Sequence, residues 1–260
     1  MSKITILVDN MAGTECRGEF GFSALIENGE EQLLFDVGRS DIFQKNADRL
    51  GIDLSKVKRC VLSHGHYDHG DGLEYFTGEE LICHPGCFSA RYRKRDNKYI
   101  GLKYSRDELA TRFMVTDTRQ PLWLSPSILF LGEIPRSNGF ESQQTTFKFG
   151  DGSDDFVPDD SAMVLIDGEA ITIIAGCSHS GICNIVAYAM EVTGKSKVRA
   201  ILGGFHLKQN DLVTDKTLQY MQQINCEKVY PMHCTSQHVQ HRFVEQFESE
   251  FGFAGMVIEV

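Results

Sequence analysis

Short apolar runs closed by glycine or charge come early and close together in the chain, at Lys3 to Val8, Phe20 to Glu27 and Gln32 to Asp36. Runs of that length and composition predict strands, and their close spacing predicts an antiparallel start. From Asp41 to Leu50 the apolar positions recur at helical spacing behind Ser40, a residue suited to an N-cap, and a compact strand follows over Lys58 to Leu62. Periodicity then weakens, apart from a short strand at Glu80 to Cys83, and stays weak from about His84 to Asp160. It returns with two strands, Ala162 to Ile166 and Ala170 to Ala175, joined by Asp167-Gly168, a dipeptide that favours a tight hairpin turn. Beyond them the pattern predicts helix Gly181 to Val192, strand Val198 to Leu202, helix Thr214 to Ile224, strand Lys228 to Tyr230, helix Ser236 to Phe247 and strand Met256 to Val260.

Strands with helices between them at both ends predict one layered α/β domain over 1–260, with 84–160 as an insertion that shapes a pocket. Hydrophobic residues at 42% and charged residues at 24% exclude disordered and fibrous classes. With 36 acidic against 26 basic residues the formal charge is −10, which argues against a general nucleic-acid partner. No apolar run approaches the ~18 residues of a membrane span, and the first strand begins without a basic-then-apolar leader. A cytoplasmic protein with no membrane partner is therefore expected. The eight cysteines form no Cys-x-x-Cys pair, so zinc-ribbon and thioredoxin-like sites are not expected and reduced, buried thiols are.

The chemistry concentrates after the strand that ends at Leu62, in Ser63-His64-Gly65-His66-Tyr67-Asp68-His69-Gly70. A single histidine is usually structural, but packing gives no reason for three in one glycine-punctuated loop. Imidazole nitrogen and carboxylate oxygen are the ligand set of zinc, manganese or iron. Three later strands also end in a histidine: His179, His206 and His233. Loops at strand ends are where distant parts of a chain meet, so the four segments are candidates for one site. His179 also precedes a predicted helix, whose N-terminal N–H groups suit an anion.

The string His64-x-His66-x-Asp68-His69 after a strand resembles the signature of the metallo-β-lactamase superfamily. Asp36, His179 and His233 resemble its other motif residues, over a span of about 33–233. The resemblance implies an αββα sandwich with zinc, one or two ions, at one edge; manganese or iron would suit the same ligands. It implies His64, His66 and His179 at one position and Asp68, His69 and His233 at a second, with Asp36 supporting the histidine loop from behind. Most members carry a bridging Asp where this chain has His206, which is taken as a ligand or as facing the bridging water. Asp160, entering the strand that leads towards His179, is a second candidate for a supporting role. Gly-Cys-Ser-His179, Gly-Gly-Phe-His206-Leu, His233-Cys-Thr and Gly132-Glu-Ile-Pro-Arg136 further resemble the subgroup related to the dihydropterin-ribofuranosylaminobenzene-phosphate synthase of methanopterin biosynthesis.

The expected activity is hydrolysis of a small anionic, phosphorylated substrate by metal-activated water, with Asp68 and His206 as the catalytic pair. The narrower resemblance implies instead a synthase that condenses a dihydropterin-methyl diphosphate with an aminobenzene ribofuranosyl phosphate. A metal-retaining ligand sensor without turnover is a third reading, since fold alone does not guarantee chemistry. Arg91, Arg93, Lys94 and Arg136 are candidates for binding the anion, because guanidinium groups pair with phosphate and carboxylate. His84 reads as a turn residue, Asp151 to Asp160 as a solvated acidic loop, His238 and His241 as surface histidines, and Cys177, Cys183 and Cys234 as small buried residues.

Overall fold

Strand and helix alternate along residues 2–260, the part of the chain that the computed structural model describes. The elements are β1 (Ser2–Val8), β2 (Ser23–Asn28), β3 (Glu31–Phe35), α1 (Ile42–Arg49), β4 (Arg59–Val61), α2 (Tyr67–Gly70), β5 (Glu80–Cys83) and β6 (Arg91–Arg93). There follow α3 (Arg106–Ala110), β7 (Met114–Asp117), β8 (Leu122–Ser125), β9 (Ile128–Phe130), β10 (Phe147–Phe149), β11 (Asp154–Asp155), β12 (Ala162–Asp167) and β13 (Ala170–Ala175). The chain closes with α4 (Ile182–Thr193), β14 (Lys197–Gly204), α5 (Leu212–Gln223), β15 (Lys228–Met232), α6 (Gln237–Phe247) and β16 (Val257–Glu259).

Two large sheets form, in the orders β16-β1-β2-β3-β4-β5-β7 and β15-β14-β13-β12-β9-β8. Successive side chains of a strand point to opposite faces, so a strand buried on both faces is apolar throughout. In β3, Leu33 and Phe35 face the other sheet while Leu34 faces α1; in β13, Ile174 faces the other sheet while Ile171 and Ile173 face the later helices. Phe43 and Ala47 of α1 cover one outer face, and Ile185, Met221 and Phe243 of α4, α5 and α6 cover the other. Three apolar layers thus separate helix, sheet, sheet and helix, the αββα sandwich expected.

The pairs β3–β4, β4–β5, β13–β14 and β14–β15 are parallel. Parallel neighbours end on the same side, which brings the loops that follow β3, β4, β13, β14 and β15 to one edge of the sandwich. The stretch 84–160 is not a simple insertion: β7 extends the first sheet, and β8 and β9 extend the second. These strands are three or four residues long, and β7 and β8 are partly exposed, so their periodicity is too short to read. Only the small sheet β11-β10-β6 and its connections stand over the strand ends. No helix among the described residues is long and apolar enough to cross a membrane.

Candidate metal centre

The loop after β4 turns sharply because Gly65 lies against the backbone of Cys87, where a Cβ would approach the carbonyl oxygen to 1.9 Å. His64 and His66 are thereby brought together edge to face, with His64 Nε2 2.9 Å from His66 Nδ1, and short helix α2 presents Asp68 and His69. The donor atoms of His64, His66 and His179 lie within 4.8 Å of one another, as do those of Asp68, His69 and His233. His206 joins from the end of β14, its ring centroid 4.4 Å from that of His179.

Hydrogen bonds behind the rings decide which nitrogens face inward. Asp36 can only accept: its Oδ2 takes the Ser63 hydroxyl at 2.7 Å and His69 Nδ1–H at 2.7 Å, and its Oδ1 takes the Ser63 N–H at 2.7 Å. With its proton committed to Asp36, Ser63 Oγ must accept from His64 Nδ1–H at 2.9 Å, which leaves His64 Nε2 bare. On the other side Asn10 donates to the His233 carbonyl at 2.8 Å, and its Oδ1, 3.0 Å from His233 Nδ1, accepts from that ring. With their Nδ1 atoms held from behind, His69 and His233 point their Nε2 atoms at each other across 3.2 Å. His66 Nε2, His179 Nε2 and His206 Nδ1 are buried without any hydrogen-bond partner. Buried ring nitrogens that converge without partners are unfavourable unless a cation sits among them, so the donor set fits a divalent metal.

Burial holds three of these rings, His64, His66 and His179, in the unprotonated, ligand-competent form. It pushes His64 and His179 well below the usual imidazole range, helped by neighbouring rings, and His66 down to about 3, helped by Arg91. Burial also opposes charge on His69, but the Asp36 carboxylate prevails and raises it to about 9. Burial works to raise Asp68 as well, and the hydrogen bond from His233 with the charge of His69 brings it below the ordinary carboxylate value instead.

Asp160 lies behind the His179 loop, where its Oδ2 accepts the Ser180 N–H at 2.9 Å and the Ser180 hydroxyl. The N-terminus of α4 does not await an anion. Glu141 already accepts the N–H groups of Cys183 at 2.9 Å and Asn184 at 3.0 Å, a carboxylate capping the positive end of the helix.

Two of the four candidate anion-binding residues are otherwise engaged. Arg91 is fully buried; it donates to Asp159 at 2.7 and 3.2 Å and to the Gly86 carbonyl at 2.9 Å, with Asp155 3.5 Å away. Asp159 in turn accepts the Gly65 N–H at 2.8 Å, so Arg91 braces the histidine loop and does not reach the cleft. The acidic stretch is accordingly not all solvated, for Asp155, Asp159 and Asp160 are buried. Arg136 donates to the backbone carbonyls of Phe156 and Val157 and to Ser142, and is committed to holding that loop. Arg93 and Lys94 do line the cleft mouth, paired with Asp96 and Asp154. His84 is a turn residue apart from the cluster, its Nδ1 accepting the Gly86 N–H at 2.9 Å. His238 and His241 are exposed on α6.

Sequence reasoning passed over Lys208 and Phe147. Lys208 lines the cleft beside the histidines together with Lys98, which closes the basic run that begins at Arg91 and was open to the same anion-binding reading, and Phe147 of β10 stands over them with its ring 5.0 Å from His66 and 5.5 Å from His179. Only the position of Lys208, two residues after His206, hinted at its place. Behind His179 and His206 opens a chamber of about 510 Å³ walled by Phe140, Gln143, Gln144, Thr145 and Phe156. That volume suits a small organic ligand.

An αββα sandwich with clustered metal-binding groups at one edge defines a metallohydrolase-type fold. The family model of the metallo-β-lactamase superfamily matches residues 16–186. The chain is 32% identical to the uncharacterized protein MJ0448 of Methanocaldococcus jannaschii over 265 residues, covering 99% of this chain and 100% of that one. It is 28% identical, over 99% of this chain and 96% of the other, to the 7,8-dihydropterin-6-methyl-4-(β-D-ribofuranosyl)-aminobenzene-5'-phosphate synthase of the same organism. The crystal structure of Tm1679, a metal-dependent hydrolase of the β-lactamase superfamily, matches with a TM-score of 0.88 at 28% identity, covering 100% of this chain and 99% of that one. The chain belongs to the metallo-β-lactamase superfamily.

Proposed function

We propose that this protein is a metal-dependent hydrolase of small anionic, phosphorylated molecules. The observation that carries the reading is the convergence of bare, buried imidazole nitrogens fixed from behind by Asp36, Ser63 and Asn10, open to a cleft whose mouth carries Arg93, Lys94, Lys98 and Lys208. His64, His66 and His179 would hold one cation and Asp68, His69 and His233 a second, with His206 beside them as a further donor. Zinc suits this set, as do iron and manganese. A cation bound there supplies Lewis acidity and lowers the pKa of water towards neutrality. The chain's own part is to hold Asp68 ionised as a proton acceptor, to exclude bulk water with Phe147 and Phe20, and to draw an anion in with Lys98 and Lys208.

A synthase reading is favoured by the chamber behind His206, larger than a phosphate needs, and by the full-length similarity to the dihydropterin synthase. One assay separates the two. Purified, metal-loaded protein is incubated with a panel of phosphomonoesters and diphosphate esters, with and without an aromatic amine, and phosphate and diphosphate are measured. Release without the amine supports hydrolysis. Diphosphate release only with the amine supports the synthase and overturns the hydrolase. Saturable binding of the esters without product in either arm overturns both and makes the protein a sensor.

A further inference from the structure

Five of the eight cysteines have an apolar reason to be buried: Cys183 and Cys226 belong to the layer under the later helices, and Cys60, Cys83 and Cys87 to the layer under α1. Cys16, Cys177 and Cys234 are equally buried but belong to no apolar cluster, and of these three only Cys177 and Cys234 lie at the cleft. They come from two different strand ends, after β13 and after β15, and meet beside His206 from a third. The donor atoms of Cys177, His206 and Cys234 all lie within 4.8 Å of one another. A four-coordinate zinc with sulfur ligands places its donors roughly 3.3 to 3.8 Å apart, as follows from bond lengths of about 2.1 and 2.3 Å, so modest side-chain adjustment closes the set.

Four further observations point the same way. His206 Nδ1 is buried without a partner. Cys177 Sγ lies 3.2 Å from His69 Nε2, so the thiols adjoin the Asp68, His69 and His233 group. Gly204 makes room for the pair: a Cβ there would come within 2.6 Å of Cys234 Sγ and 3.3 Å of Cys177 Cα. The three loops are also tied to one another, Ser178 Oγ donating to the Gly204 carbonyl at 2.6 Å and the Phe205 N–H to Thr235 Oγ1 at 2.9 Å.

We propose that Cys177, Cys234 and His206 form a soft, sulfur-containing cation position in this centre, continuous with the Asp68, His69 and His233 group, and that it selects a thiophilic divalent ion, zinc or ferrous iron, over magnesium or calcium. Thiolates favour such ions, and oxygen donors favour the hard ones. The inference rests on the reading that the histidine cluster holds metal, and the test keeps the two apart.

Chelator-stripped protein is titrated with cobalt(II), whose visible bands report any tetrahedral site and whose near-ultraviolet charge-transfer band reports bound sulfur. The wild type is expected to give both. Cys177→Ser and Cys234→Ser should each lower the charge-transfer band, and the double variant should abolish it while visible bands from the histidine position persist. Visible bands without a charge-transfer band at any loading overturn the sulfur position and leave the histidine reading standing. Retention of no cobalt overturns both. Should the serine variants fail to fold, X-ray absorption at the zinc edge of wild-type, zinc-loaded protein decides. A sulfur shell at about 2.3 Å beside nitrogen and oxygen at about 2.0 to 2.1 Å supports the proposal, and a first shell without sulfur overturns it.

Discussion

Replacing Arg91 by Met separates a structural brace from a substrate contact. The guanidinium is fully buried, forms a bidentate pair with Asp159 and donates to the Gly86 carbonyl. A unit-charge pair about 4 Å between charge centres is worth about 4 kcal/mol at an effective dielectric of about 20. Breaking a buried pair by removing one partner costs about 3 to 5 kcal/mol, and the Gly86 carbonyl left without its donor adds about 1. Against a total stability of about 5 to 15 kcal/mol a loss of about 4 to 6 kcal/mol should bring the variant close to its limit, with a melting temperature lower by roughly 8 to 24 °C. The pH dependence gives an independent check. In the wild type burial pushes the Asp159 carboxyl up, but Arg91 overcomes this and holds it below its ordinary value, so the pair's contribution is present above about pH 4 and is lost as the pH falls further. Without Arg91 burial, the largest influence on both, is opposed mainly by the Gly65 N–H at Asp159 and the Val157 N–H at Asp155; both carboxyls then shift upward, and the variant's penalty fades as acid protonates them. Urea unfolding of both proteins between pH 7 and pH 5 should show the deficit shrinking on acidification. A deficit under about 1 kcal/mol at pH 7 with an unchanged urea slope, or one that grows in acid, would refute the argument.

Three other perturbations address the centre itself. Asp36→Asn removes the charge and replaces one of the two acceptor oxygens that hold Ser63 and His69 by a donor, and metal affinity should fall about 10- to 100-fold in competition with a chromogenic chelator; unchanged affinity would mean that the ring orientation does not depend on Asp36. Stripping the metal should lower the melting temperature, because a ligand held at 100 times its Kd stabilises by about 2.7 kcal/mol, which corresponds to roughly 5 to 11 °C for a chain of this size. Scanning calorimetry with and without chelator and added zinc tests this, and coincident transitions would remove support for a metal-holding cluster. Lys98→Ala and Lys208→Ala should each weaken inorganic phosphate about tenfold, equivalent to about 1.4 kcal/mol, in isothermal titration of the metal-loaded protein. Unaltered binding in both would move the anion away from this mouth.

The histidine cluster was legible in the sequence because its members sit in loops that follow apolar runs, and parallel strands carry their ends to the same edge without help from side chains. Their buttresses were not. Asn10 meets His233 across 223 positions and Asp159 meets Arg91 across 68, and neither partner follows a periodic signal. Arg91 was misleading for a related reason: in sequence it opens a run of surface-like charge, but it is the first residue of β6 and points inward, where Asp155 and Asp159 neutralise it. The same holds for Glu141, whose value as a helix cap depends on a fold-back that local pattern does not reveal. Cys177 and Cys234 could be distinguished from the other thiols only once the apolar layers were known, because every cysteine in the chain is buried.

Backbone conformation ties these features together. Asp36, Ser178, His206 and His233 all have positive φ, between 50° and 57°, and all lie at strand ends bordering the cleft. Left-handed backbone at residues other than glycine costs on the order of 1 to 3 kcal/mol each and persists only where the surroundings enforce it. Here the enforcement is visible: Asp9 Oδ2 accepts the His233 N–H at 2.8 Å, Ser178 Oγ donates to Gly204, and Asp36 is held by Ser63 and His69. A chain leaving a parallel strand in extended conformation would carry its next side chains away from the neighbouring loops. The left-handed residue reverses it within one position, so donors from several strands can face one another across about 3 Å. The strain and the donor convergence are consequences of the same geometry, which is why removing a buttress such as Asp36 should weaken metal binding and fold stability together.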